Sequence, residues 1–196
     1  MNVAIVQYNA GNVQSVIYAL ERLGITPTLT GDPDQLRAAD KVIFPGVGEA
    51  STTMDHLRET GVDELLPSLT QPVLGICLGL QLMCRHSEEG NTPCMGIFDV
   101  LVKKFVSHRP EEKVPHMGWN QLHQVKGPLF EGIAPEDYVY FVHSFYAEQH
   151  PDAIALCNYL HPFSAALQHQ NFYALQFHPE KSGDVGARVL RNFVEL

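Results

Sequence analysis

The stretch Val73-Leu-Gly-Ile-Cys-Leu-Gly-Leu-Gln-Leu-Met83 decides the fold. Pro72–Ile76 is a short apolar run of the kind a buried parallel strand shows. From Leu78 the pattern reads as a helix running to Arg85. Cys77 stands where one becomes the other, with Gly75 two positions before it and Gly79 two after. A tight strand-to-helix turn crowds the side chains on both sides of its apex, and glycine removes the clash. The hydrolase elbow Gly-x-Ser-x-Gly exposes its nucleophile in this way, and here cysteine takes the serine's place. The first turn of a helix adds unpaired N–H groups and partial positive charge, which stabilise negative charge on a sulfur. The Leu78 N–H is placed to serve an oxyanion beside Cys77. The competing reading is a small buried apolar residue, as most free cysteines are. Two flanking glycines on a strand-to-helix turn favour the nucleophile.

Outward from this turn, the first half alternates strand and helix. Val3–Tyr8 is an apolar, β-branched first strand. Val13, Val16, Ile17, Leu20 and Leu23 then share one helical face, closed by Gly24. Thr28–Thr30 is a weaker strand, and Pro27 suits an edge position. Lys41–Phe44 is a third strand, stopped by Pro45-Gly-Val-Gly48, and a helix follows over Ala50–Glu59. The alternation predicts an α/β fold, an open and mostly parallel twisted sheet with helices on both faces. From about Val100 short strand candidates dominate: Leu101–Val106, Asn120–Val125, Tyr138–His143, Ile154–Asn158, Ser164–Gln168 and Tyr173–Phe177. They imply a smaller antiparallel extension of the sheet. Val185–Val194 reads as a closing helix. With no repeat, linker or low-complexity segment, residues 1–196 read as a single domain.

Composition excludes several function classes. The 22 acidic and 13 basic residues give a net charge of −9, without a basic run, so no nucleic-acid partner is expected. No apolar stretch reaches the roughly 18 residues of a membrane helix, so no membrane partner is expected either. The first residues lack the positive n-region of a signal peptide, so a cytoplasmic location with reduced thiols is expected for Cys77, Cys84, Cys94 and Cys157. The ten histidines are scattered without metal-ligand spacing, and no metal site is expected. Cys84 reads as a packing residue on the helix after Cys77.

A thiol nucleophile needs a base and something to orient it. Phe177-His-Pro-Glu180 stands at the end of the apolar strand candidate Tyr173–Phe177. Pro179 disfavours the α region for His178, which predicts an extended segment with His178 and Glu180 on one side. The C-terminal ends of the strands are where open α/β sheets carry their sites. His178 is then the general base and acid, and Glu180 fixes its tautomer. Taken alone, the motif is equally a surface loop.

Pro45-Gly-Val-Gly48, Gly75-Ile-Cys-Leu-Gly79 and His178-Pro-Glu180, in this order, closely resemble the class I (triad-type) glutamine amidotransferases, whose fold is flavodoxin-like. The similarity covers essentially the whole length. Tyr8-Asn-Ala-Gly-Asn12, Pro115-His-Met-Gly-Trp-Asn120, Tyr140-Phe-Val-His-Ser144 and Gln176-Phe-His-Pro-Glu-Lys-Ser182 are similar to the branch that serves histidine biosynthesis. The resemblance implies a Cys77–His178–Glu180 triad that hydrolyses L-glutamine, with no cofactor. It implies an oxyanion hole from the N–H groups of Val47 and Leu78. It implies glutamine contacts from Gln81 and from groups at Gly46, Gly48, Ser144 and Phe145. The ammonia would pass to a (β/α)8-barrel cyclase subunit in a heterodimer. Asn12, Met117, Trp119, Tyr140 and Lys181 match the docking face or its signalling. The triad does not separate this reading from amidotransferases of other pathways. An inactive binding module and a cysteine peptidase on the same sheet are the alternatives from other classes.

Overall fold

The computed structural model describes residues 1–8 and 13–196, so the interface expectation for Asn12 lies outside the described residues. The parallel half of the main sheet has the order β2 (Thr28–Thr30), β1 (Val3–Val6), β3 (Lys41–Gly46), β4 (Val73–Cys77) and β13 (Phe172–Leu175). All its neighbouring pairs run parallel. The sheet continues through β12 (Pro162–His169), β10 (Phe145–Ala147), β7 (Phe98–Lys104), β5 (Cys84–Ser87) and β6 (Thr92–Pro93), with β11 (Ala153–Asn158) also on β12. These pairs are antiparallel except β5 with β7. A separate antiparallel hairpin joins β8 (His116–Gln121) to β9 (Tyr138–His143).

Alternation along the strands makes two cores. Val3 and Ile5 of β1 face one layer, and Ala4 and Val6 face the other. The first layer is closed by α1 (Val13–Arg22), by α6 (Gly183–Glu195), and by Val139 and Phe141 of the hairpin. The second is closed by α2 (Pro33–Ala38), α3 (Ala50–Thr60), α4 (Val62–Ser68) and α5 (Leu78–Met83). Helices thus cover both faces, as the alternation predicts. No helix among the described residues is long and apolar enough to cross a membrane.

Several boundaries differ from expectation. The helix after Cys77 stops at Met83 rather than Arg85, because Cys84 adopts an extended backbone (φ −70°, ψ 176°) and β5 pairs with β6 and β7. Cys84 therefore opens a strand, and it is fully buried as a packing residue. The strand expected over Asn120–Val125 lies earlier, at His116–Gln121. α2 and α4 carry too few turns for their periodicity to stand out in the sequence. α2 is nonetheless well started: the Asp32 carboxylate accepts from the Asp34 N–H at 2.8 Å, and Pro33 occupies the first turn.

Candidate active site

The elbow is built from backbone. β3 and β4 end side by side, with Gly46 opposite Cys77. Cys77 turns the chain with φ 55° and ψ −109°, a conformation that L side chains rarely adopt. The bend brings α5 directly against the end of β3. A Cβ on Gly79 would run into the Phe44 carbonyl oxygen, and one on Gly46 would strike the Gly79 nitrogen. A Cβ on Gly75 would meet the Met83 sulfur at 2.5 Å first, with the Gly79 carbonyl carbon at 3.0 Å behind it. The two glycines flanking Cys77 do clear the bend, and the packing adds a third, Gly46, which the resemblance had assigned to substrate. Gly46 lies beneath the elbow and is absent from the wall of the cavity above it.

That cavity, about 350 Å³, is lined by Val47, Gly48, Cys77, Leu78, Gln81, Ser144, Phe145, His178 and Lys181. Residues expected from four separate segments thus share one wall. Gln81 is buried, and its Nε2 donates to the Phe145 carbonyl at 2.9 Å and to Gln176 Oε1 at 3.1 Å. Gln176 in turn places its Nε2 3.8 Å from the Cys77 sulfur. Sequence reasoning gave Gln176 no role, although it lies in the quoted motif two residues before His178.

His178 and Glu180 meet, though not as expected. β13 ends at Leu175, and Pro179–Lys181 forms a single 3-10 turn rather than an extended segment. His178 itself is extended, as the following proline requires. The turn swings Glu180 round so that Oε1 accepts from His178 Nδ1–H at 2.7 Å, with both side chains almost fully buried. A carboxylate can only accept, so the second ring nitrogen, Nε2, is the one free to exchange a proton. Nε2 is buried without a hydrogen-bond partner among the described residues. Burial disfavours charge on this ring, but the Cys77 sulfur and then Glu180 outweigh it and push the His178 pKa up to about 10. An imidazolium is thereby favoured beside the sulfur.

The His178 loop is tied to β9. The His178 N–H donates to the Tyr140 carbonyl at 2.9 Å. The Tyr140 N–H donates to Ser182 Oγ at 2.9 Å, and that hydroxyl donates to the His178 carbonyl at 2.6 Å. Ser182 is buried, and the sequence gave no hint of this clamp. The other side of Tyr140 meets Trp119, its register partner on β8, with ring centroids 5.9 Å apart. Trp119 is 55% exposed and Met117 on the same strand 66%. Met117 and Trp119, with the half-buried Tyr140, therefore form an apolar face one strand away from His178.

Glu89 is a further cavity residue that no motif marked. Its Oε2 accepts from the Ala50 N–H at 2.8 Å. Burial raises the pKa of this carboxyl, and the bond to Ala50 opposes the shift. On the far side of the elbow, the buried Tyr8 hydroxyl donates to the Pro45 carbonyl at 2.5 Å, bracing the start of the Gly46–Gly48 loop. Burial and the neighbouring Cys77 raise the Tyr8 pKa.

A thiol at a glycine elbow thus shares a cavity with a carboxylate-oriented histidine on a doubly covered parallel sheet, an arrangement suited to nucleophilic attack on an amide. The chain belongs to the glutamine amidotransferase class-I family, whose model matches residues 4–196. It is 62% identical over 196 residues, all of both chains, to the imidazole glycerol phosphate synthase subunit HisH of Bacteroides thetaiotaomicron. It is 47% identical over 198 residues, again covering both chains, to the subunit of that name in Escherichia coli K12. Among solved structures, the crystal structure of a glutamine amidotransferase superposes with a TM-score of 0.76 at 21% identity, over 99% of this chain and 98% of that one. A glutamine amidotransferase from Thermotoga maritima gives 0.63 at 17% identity, over 100% and 81%. At these identities the two structures establish the fold alone.

Proposed function

We propose that this chain is the glutaminase subunit of imidazole glycerol phosphate synthase, acting in histidine biosynthesis in the cytoplasm. The observation that carries the chemistry is Cys77 on its glycine elbow in one cavity with His178, whose Nδ1 is held by Glu180. The pathway rests on the identity of this chain to the HisH subunits.

The Cys77 thiolate attacks the side-chain carboxamide carbon of glutamine. The N–H groups of Leu78 and Val47 hold the oxyanion that forms. The His178 imidazolium gives its Nε2 proton to the leaving nitrogen, and ammonia departs from a glutamyl thioester. The neutral ring then takes a proton from water, the hydroxide adds to the thioester, and the sulfur leaves to release glutamate. Gln81, Gly48, Ser144 and Phe145 hold the substrate, and the Glu89 carboxylate faces its α-ammonium. Gly46 serves from below by letting the elbow close.

Free ammonia would be largely protonated in water and lose its nucleophilicity, so it is passed to a (β/α)8-barrel cyclase subunit. The exposed face of Met117, Trp119 and Tyr140, with Lys181 at the cavity, receives that partner. Aromatic residues are favoured anchors at such contacts. Cys77→Ala in the complex is expected to abolish glutamine-dependent product while ammonium salts still support it. Loss of both activities with a competent cyclase present would refute the division of labour. Glutaminase turnover by the chain alone is expected to be low.

A further inference from the structure

Two buried histidines take no part in the triad. His116 and His143 are register partners across the β8–β9 hairpin, 3% and 6% exposed. The hydrogen bonds around them run in one direction. Asn120 Oδ1 accepts from the Gln121 N–H at 2.8 Å, which fixes the amide orientation. Its Nδ2 then points one hydrogen at the Asn158 carbonyl (2.9 Å) and the other at His116 Nε2 (3.2 Å). An amide nitrogen only donates, so the His116 proton sits on Nδ1. Nδ1 lies 3.0 Å from His143 Nε2, which must accept. The His143 proton is therefore on Nδ1, 2.7 Å from the Phe145 carbonyl. A carbonyl only accepts, so the assignment closes from both ends. That same carbonyl also receives Gln81 Nε2, and Ser144 and Phe145 line the cavity.

We propose that Asn120, His116 and His143 are positioning residues for glutamine: a directional hydrogen-bond relay from the outer hairpin that fixes the Phe145 carbonyl, and with it Gln81 and the Ser144–Phe145 wall. This rests on reading the cavity as the glutamine site. The relay needs both rings neutral. Burial pushes the His116 pKa down to about 4. Burial also pushes His143 down to about 3, against the Phe145 carbonyl and with help from His116 and His178. The titratable groups facing the pair are the two rings themselves, Tyr159 stacked on His116 at 4.0 Å, and His178 on the cavity side of His143. Phe105, Phe141 and Phe163 pack the rest.

Asn120→Asp tests the relay without changing volume. The carboxylate accepts where the amide donated, so neutral His116 must move its proton to Nε2. His143 then follows, and its bare Nδ1 faces the Phe145 carbonyl. In the complex with the cyclase, KM for glutamine is expected to rise roughly tenfold at about pH 8, with kcat changed less. The new carboxylate favours the imidazolium, and protonated His116 donates at both ends, so KM should fall back toward wild type as the pH is lowered. Asn120→Leu loses those two bonds and the one from the Gln121 N–H as well, without reversing the direction. It should change KM by about threefold at most, evenly across pH. Nitrogen-15 NMR of the wild-type rings should show Nδ1–H tautomers for both. Nε2–H tautomers, or equal pH-independent effects of the two variants, would overturn the relay. A wild-type complex that does not hydrolyse glutamine would instead overturn the glutaminase reading, and the NMR tautomers would still decide the relay.

Discussion

The Cys77 side of the cavity is held by backbone pressed on backbone, whereas the His178 side hangs on side-chain and main-chain hydrogen bonds to the β8–β9 hairpin. At the elbow, Gly46 and Gly79 leave no room for a Cβ against neighbouring backbone. On the other side, Ser182, Tyr140 and Glu180 hold the histidine by bonds that form and break at modest cost. On the proposed reading, the nucleophile sits on a rigid support, and the base sits on one that a partner docked on the hairpin would pull. An ammonia-producing subunit gains from that division, because the thiol stays ready while the base and the substrate wall answer to the hairpin.

The sharpest way to break the comparison is Gly79→Ala. The new methyl group would occupy the place of the Phe44 carbonyl oxygen, and backbone cannot move aside as a long side chain can. Several kcal/mol of destabilisation, or at least a roughly hundredfold loss of glutaminase activity, is expected. Thermal unfolding and glutamate release measure the two outcomes. A variant with the wild-type melting temperature and activity would show that the elbow is not rigid.

Acid and alkali should separate the two sides next. An unfolded histidine titrates near 6.5. The folded values of about 4 for His116 and about 3 for His143 mean that the unfolded chain binds protons the folded chain refuses. Their contribution is complete above pH 6.5 and is lost as pH falls, at up to about 1.4 kcal/mol per unit for each proton. His178 runs the other way: with a folded value of about 10, its contribution is complete below 6.5 and is lost as pH rises through 10. Urea midpoints across pH should lose about one proton's slope on the acid side in His116→Gln. An unchanged slope would show that this ring is not the buried neutral group described.

How much of this was legible in the sequence follows the same division. The elbow is a short-range affair of five residues, and its glycines announce the steric problem they solve. The parallel order and the two covered faces follow from alternation that the strands carry in their own composition. The base side depends on contacts between residues about 40 apart, such as Tyr140 with Ser182, and no local pattern encodes them. The packing of Gly46 on Gly79 was not legible, because the two lie far apart in sequence. Glu89 comes from a turn without a motif, and Cys84 left its helix because a strand partner outcompeted local propensity. The bounds of β8 moved from Asn120–Val125 to His116–Gln121 because polar His116 and Asn120 face the relay, which hides the alternation a half-buried strand normally displays.

The smallest expected effect sharpens the comparison most. Ser182→Ala removes one hydroxyl that joins Tyr140 to the His178 carbonyl, and leaves the catalytic side chains untouched. Two neutral hydrogen bonds at about 1 kcal/mol each, partly replaced by rearrangement, set the scale. If the clamp only stabilises the fold, the melting temperature should drop by a few degrees with kcat intact. If it aims the base, kcat should fall roughly tenfold while KM for glutamine and alkylation of Cys77 by a glutamine-like electrophile stay near wild type. The second outcome is expected, because the histidine backbone makes its cross-strand contact at Tyr140 and nowhere on the elbow. A loss shared equally by Cys77 alkylation and by kcat would mean that the two sides are one rigid unit, and the contrast drawn between them would fall.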